Sequence, residues 1–172
     1  ASDLPALVRQ VFAYLPDTAE GFTFKLAAAD DPNRCEPSLD ELAACLDDGI
    51  DMQKVIEAVF DLESFLELSP DFAVPALTGL ARLDGRVVGV AALAGTRLTG
   101  AMADKFTGFI QLCDRLNLPL ITLLDTAGYE LSAAAEQAGL VSAATRLFAA
   151  GSSCQIPRLT VAVGELIGPA YV

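Results

Sequence analysis

The segment Pro119-Leu120-Ile121-Thr122-Leu123-Leu124 is apolar at nearly every consecutive position and is closed by Asp125. A strand with one wet face alternates apolar and polar residues, so a run without alternation reads as a strand covered on both faces, the condition of a parallel sheet between helical layers. Its surroundings agree. A helical pattern over about 102–116 precedes it, an Ala-rich helical pattern over about 133–150 follows it, and a second buried-type strand covers 159–163. Helices and strands alternating at these lengths predict parallel β/α units. Upstream, strand-like runs at 77–83 and 87–93 flank Asp84-Gly85-Arg86, a short hairpin signal.

The N-terminal third is less regular. Leu4, Leu7, Val8, Val11, Phe12 and Leu15 recur at helical spacing until Pro16, predicting a short amphipathic helix. From 16 to 50 the pattern is lost among Pro16, Pro32, Pro37 and the run Asp30-Asp31-Pro32-Asn33, which suits an ordered connector lying on a larger body. Met52, Val55, Ile56, Val59 and Phe60 then mark one face of a second helix, with Asp51 as its expected N-cap. At the other end, Gly168-Pro169-Ala170-Tyr171 reads as a helix start with Pro at the first helical position. Four residues give a helix no length over which to bury a face, so the expectation is a fragment, or one piece of a chain that packs against others.

Composition narrows the chemistry. The 172 residues suffice for one α/β domain with a real core, and 53% hydrophobic with 20% charged residues is a globular balance. Eleven Lys and Arg against 23 Asp and Glu give a net charge of −12, which opposes binding to phosphate backbones and anionic lipid. No basic stripe offsets it, so no nucleic-acid partner is expected. The apolar run 118–124 is far short of the roughly 20 residues a membrane span needs, so no span is expected, and Ala1-Ser2-Asp3 opens no cationic leader. There is no histidine, which excludes Ser-His-Asp, Cys-His and His-metal chemistry within this chain. Cys35, Cys45, Cys113 and Cys154 form no C-x-x-C pair; they read as reduced thiols of a cytoplasmic or organelle-matrix protein, with no metal site.

In an open α/β sheet, ligands bind beyond the carboxyl ends of the strands, where helix N-termini offer free N–H groups. Two loops qualify: Asp125-Thr126-Ala127-Gly128-Tyr129 after the first buried strand, and 164–171 after the second. Both are also readable as ordinary strand-to-helix turns in which glycine supplies positive φ.

The run from Leu118 to Tyr129 resembles the "N-I-P-L-x-x-F-V-D-x-P-G-F" segment of biotin-dependent acyl-CoA carboxyltransferases, the family of propionyl-CoA carboxylase β subunits and of sodium-pump decarboxylase α subunits. Ser69-Pro70-Asp71-Phe72-Ala73 and the run from Thr78 to Val90 resemble the family's "Q-P-D-F-A…G-F-A-R-x-x-G-R-x-V-G-I", and Phe109 to Asp114 its "R-F-V-R-F-C-D". Tyr14-Leu15-Pro16 and Asp30 to Arg34 resemble the linker joining the two halves of such subunits. Glu136, Gly139, Arg146-Leu147 and Ile156-Pro157 fall in register, and Gly168 to Val172 resembles the terminal "G-G-A-Y-D".

The resemblance covers almost the whole chain. It implies an α/β, crotonase-like fold of stacked ββα units, incomplete at the C-terminus, with 1–50 an N-terminal helix and interdomain linker and 51–172 the first part of the C-terminal, biotin-side domain. It implies carboxyl transfer between carboxybiotin and an acyl-CoA through enolates held in oxyanion holes of backbone N–H groups, which needs no histidine. The implied partners are a biotin carboxyl carrier, a biotin carboxylase component, the complementary N-terminal carboxyltransferase domain, and further copies in trimeric or hexameric rings. The implied catalytic positions are Gly168, Pro169 and Ala170. Asp125, Gly128, Tyr129, Tyr171 and Val172 are the implied biotin- or substrate-binding positions.

Several residues depart from the family pattern. The biotin-side donors would be the N–H groups at Pro169 and Ala170, and proline has none. Losing one such donor costs on the order of 100-fold in rate. Val172 stands where the family has Asp or an aliphatic residue shaping the acyl pocket, and leans toward a less polar acyl group. Ala127 and Leu131 replace prolines, Ser132 a glycine and Ser142 an arginine, which makes the loop less stiff. Two readings follow: an active, divergent carboxyltransferase, or a catalytically impaired module that keeps the fold and assembles. A crotonase-type hydratase or isomerase is a third class, and needs a carboxylate base. Asp125 either orients the active-site loop or caps its own turn. Glu136 and Glu165 are either acid/base groups or solvated charges, and Tyr171 either underlies the biotin site or fills core.

Overall fold

The computed structural model describes residues 4–15, 30, 31, 34, 36, 37, 39 and 50–168. In chain order the elements are α1 (Leu4–Phe12), α2 (Met52–Val59), β1 (Leu66–Glu67), β2 (Leu77–Leu83), β3 (Arg86–Leu93), α3 (Gly100–Arg115), β4 (Leu120–Thr126), α4 (Ala133–Gln137), α5 (Leu140–Ser153) and β5 (Arg158–Leu166). The five strands form one sheet in sequence order. β1, β2 and β3 pair antiparallel, and β3–β4 and β4–β5 pair parallel.

Turn chemistry sets the antiparallel part. Asp84 (φ 51°) and Gly85 (φ 73°) both adopt the left-handed conformation whose twist suits a two-residue hairpin. The Asp61 carboxylate accepts their N–H groups at 2.9 and 2.8 Å and holds the turn. The parallel part follows from helices long enough to cross back. Thr99 caps α3 by accepting the Met102 N–H at 3.3 Å, and Asn117 ends the helix in left-handed backbone (φ 53°), turning the chain into β4.

Both faces of the middle strands are covered, as the unbroken apolar runs require. Val87, Ala91 and Leu93 point toward α3 and α5, joining Phe106, Phe109, Ile110 and Leu147. Val88, Val90 and Ala92 point the other way, joining Ile56 and Phe60 with Ile121 and Leu123 of β4. Gly89 lets α3 lie close, since a Cβ there would strike the Cys113 sulfur. Lys105 of α3 is buried, its ammonium donating to the carbonyls of Phe72 (2.7 Å) and Ala76 (2.6 Å). Burial lowers its pKa, and Glu67 opposes that shift.

The connector docks on this body at the points the structure describes. The Tyr14 hydroxyl donates to the Ser64 carbonyl at 2.6 Å. Arg34 pairs with Asp30 (2.8 Å) and donates to the carbonyls of Ala58 (2.8 Å), in the last turn of α2, and Phe60 (3.0 Å), its C-cap, where a cation suits the helix dipole.

Some expectations change. The Ala-rich pattern over 133–150 is not one helix: Gly139 at φ 91° breaks it into α4 and α5. Both buried-type strands run longer than expected, to Thr126 and over Arg158–Leu166. Asp51 occupies the N-cap position of α2 but makes no cap hydrogen bond, facing Lys54 at 3.8 Å instead. The expected helix α1 forms, yet Leu4, Leu7, Val8 and Phe12 of its apolar side are exposed. β5 is thinly covered: its first five residues are exposed, and only Val163, Gly164 and Leu166 are partly buried. Cys113 and Cys154 are free thiols, whereas Cys35 and Cys45 fall outside the described residues.

Candidate functional site

The carboxyl ends of β3, β4 and β5 converge on one set of loops. Parallel pairing alone brings them there, and Leu98 with Tyr129 forms one further parallel bridge past the strand ends. The Leu98 N–H donates to the Gly128 carbonyl (2.8 Å) and the Glu130 N–H returns a bond to the Leu98 carbonyl (3.1 Å). Gly128 is buried at φ 91°, and a Cβ there would come within 3.1 Å of the Ile167 carbonyl oxygen, so glycine is needed for both conformation and space. The Ile167 N–H donates to the Thr126 carbonyl at 3.1 Å. The turns after β4 and β5 are therefore side by side.

Asp125 sits between them. Its Oδ1 accepts the Glu165 N–H at 2.8 Å, and its Oδ2 accepts the Gly95 N–H at 3.2 Å. Thr126, 1% exposed, donates its hydroxyl to the Thr96 carbonyl at 2.6 Å and accepts the Gly128 N–H at 3.3 Å. Arg97 reaches the Ala127 and Tyr129 carbonyls at 3.4 Å. Tyr129 is partly buried, which pushes its phenol pKa up. Beside it opens a groove of about 550 Å³ lined by Leu131, Leu140, Val141, Ala144 and Phe148. Ser132, which stands where the family has glycine, caps α4 by accepting the Ala135 N–H at 3.0 Å.

Of the expected site residues, Asp125, Gly128 and Tyr129 lie in this cluster, and exposed Gly168 (φ 71°) follows directly from Ile167. Pro169, Ala170, Tyr171 and Val172 lie outside the described residues. Glu136, in α4, and Glu165, in β5, are both exposed. Sequence reading passed over Thr96 and Arg97, and gave Thr126 and Gly164, inside the two candidate loops, no role of their own. Only their place in loops past buried strands signalled them, and their partners lie about 30 to 40 residues away in sequence.

The model of the carboxyl transferase domain matches residues 2–172. This chain belongs to the carboxyl transferase domain family. It is 34% identical to the propionyl-CoA carboxylase β chain of Roseobacter denitrificans over 148 residues, covering 83% of this chain and 29% of that one. The human mitochondrial propionyl-CoA carboxylase β chain is 29% identical over 177 residues, covering 99% of this chain and 33% of that one. Among solved structures, the transcarboxylase 12S, a hexamer with methylmalonyl-coenzyme A bound, superposes with a TM-score of 0.84 at 24% identity, covering 91% of this chain and 32% of that one. The chain thus spans about a third of the length of these relatives. The fold is the crotonase-like one of this family, as the resemblance implied.

Proposed function

We propose that this chain forms the biotin-facing part of the carboxyltransferase of a biotin-dependent acyl-CoA carboxylase or decarboxylase. The single observation that carries the reading is the pair of adjacent turns past β4 and β5, locked together by the Ile167–Thr126 and Glu165–Asp125 hydrogen bonds, in a chain of this family. A ureido group is neutral and planar and asks for main-chain donors rather than a charged side chain. The site suits it: both Asp125 oxygens are already engaged by N–H groups, and partly buried Tyr129, its phenol made harder to ionise by burial, adds an apolar wall. Bound on a carrier, carboxybiotin supplies the transferable carboxyl group.

In this reading the chain's own work is positioning and charge stabilisation. Main-chain N–H donors of 168–170 serve developing negative charge on oxygen. Gly168 provides the positive φ that aims the turn, Ala170 keeps one donor, and Pro169 forfeits the other. Tyr171 and Val172 shape the neighbouring acyl pocket. Residues 51–172 then form the first part of the biotin-side domain and 1–50 an N-terminal helix and interdomain linker, in a cytoplasmic assembly of trimeric or hexameric rings with a biotin carboxyl carrier and a biotin carboxylase component. Pro169 favours a second reading, a catalytically impaired carboxyltransferase-like assembly module.

The deciding experiment is decarboxylation of malonyl-CoA or methylmalonyl-CoA driven by free biotin, with this chain alone and reconstituted with the complementary domain. Turnover by the pair is expected, and Pro169→Gly should raise it on the order of 100-fold. A pair that binds biotin without turnover sinks the enzyme reading in favour of the module.

A further inference from the structure

The parallel ladder between β4 and β5 breaks where the site begins. Leu124 pairs with Ala162 and Thr126 with Leu166, so two steps along β4 are matched by four along β5. The intervening stretch of β5 has lost regular ladder partners, and an unpaired N–H within a structure is costly. The Asp125 side chain fills this gap, its Oδ1 taking the Glu165 N–H at 2.8 Å. The fit is specific to glycine at 164, because a Cβ there would stand 2.5 Å from that Oδ1 and 2.8 Å from Cγ.

The opposite carboxylate oxygen accepts the N–H of Gly95, just past the end of β3, at 3.2 Å, and the Asp125 main-chain carbonyl shares that N–H at 3.0 Å. Thr126, the next residue, repeats the arrangement: its hydroxyl bonds Thr96 and Gly128, and its carbonyl bonds Ile167. Two consecutive residues at the tip of β4 thus reach the loops on both sides. Charge-assisted bonds from a carboxylate to main-chain N–H groups are among the stronger ones, and both Asp125 bonds are of this kind.

We propose that Asp125 and Thr126 are positioning residues that lock the β3, β4 and β5 loops into one unit and thereby set the spacing between the Gly128 turn and the Gly168 turn. The role in biotin binding rests on the function proposed above; the mechanical coupling does not.

Two measurements on the intact protein separate these. In amide exchange, Asp125→Ala removes the partner of the Glu165 N–H and one of the two acceptors of the Gly95 N–H, whose bond to the Asp125 main-chain carbonyl remains. If the loops form one unit, exchange also accelerates, tenfold or more, at Gly128 and Ile167, which Asp125 does not touch, while the amides of α3 stay unchanged. Thr126→Val, nearly isosteric, does the converse, freeing Gly128 directly and Glu165 through the unit; it decides the matter if Asp125→Ala does not fold. Acceleration confined to the N–H groups whose partner was removed overturns the proposal. In the decarboxylation assay, either variant raises the KM for biotin about three- to tenfold, the worth of a lost hydrogen bond. The KM for acyl-CoA stays within twofold, and Thr126→Ser restores the Thr126→Val loss. An unchanged biotin KM, or equal rises in both KM values, overturns the positioning role. A wild-type protein without turnover overturns the functional reading, and exchange then still decides the coupling.

Discussion

β4 and β5 are neighbours in one parallel ladder, both apolar and both followed by a candidate site loop, yet their surroundings differ sharply. Leu123 of β4 is 1% exposed, with α2 packed beyond it, whereas Leu159 of β5 is 58% exposed. The same hydrophobic signal therefore says that a strand is made to be covered, without saying by what. β4 draws its cover from this chain. Among the described residues β5 draws such cover only at Val163 and Leu166, and its tip is a joint where Asp125 and Thr126 fasten it to β4.

The sharpest test of that contrast is truncation. Leu123→Ala should cost about 2–5 kcal/mol in urea unfolding, the range for a buried leucine leaving a cavity. Leu159→Ala in the same chain should stay within about 0.5 kcal/mol, as for surface changes. A comparable loss at the two positions would break the comparison. The joint gives the next effect. Gly164→Ala, although on the thinly covered strand, should cost about 1–3 kcal/mol as overpacking against Asp125, and a neutral result would mean that the tip of β5 is free.

The covered side should also show its burial in pH dependence. Lys105 binds its proton less tightly when folded, because burial disfavours the ammonium. Its penalty is full at pH values below the lowered folded pKa and vanishes as pH rises toward the unfolded value of 10.5, so this group makes stability rise over that window. Tyr14 and Tyr129, whose phenols burial raises above 10.0, take stability away above that pH. The slope of Tm against pH approaching 10.5 should therefore be less positive in Lys105→Met than in the parent. The smallest effect is chemical. Cys113, buried and pushed up to about 12, should resist alkylation until the protein unfolds, while half-covered Cys154 reacts first, as mass spectrometry of labelled peptides will show.

The hairpin was legible because Asp84-Gly85 is a turn signal confined to adjacent residues, and β4 because seven apolar-rich positions without alternation have few other uses. The break at Gly139 was harder to see, since alanine favours helix on both sides and one glycine is tolerated inside helices. At the site, Asp125, Gly128 and Tyr129 stood out through resemblance to family motifs. Thr126 did not, because a threonine ending a strand is unremarkable until its hydroxyl is found between Thr96 and Gly128.

Read alone, the sequence determined the hairpin, the main helices and strands from 77 onward, their parallel pairing and the exclusion of histidine chemistry, since periodicity, turn residues and composition are local properties of a chain. The tertiary structure alone decided which strand is covered and how the loops are joined. Those depend on pairs such as Asp125 with Glu165, forty residues apart, which only the shifted register of β4 against β5 brings within hydrogen-bonding distance.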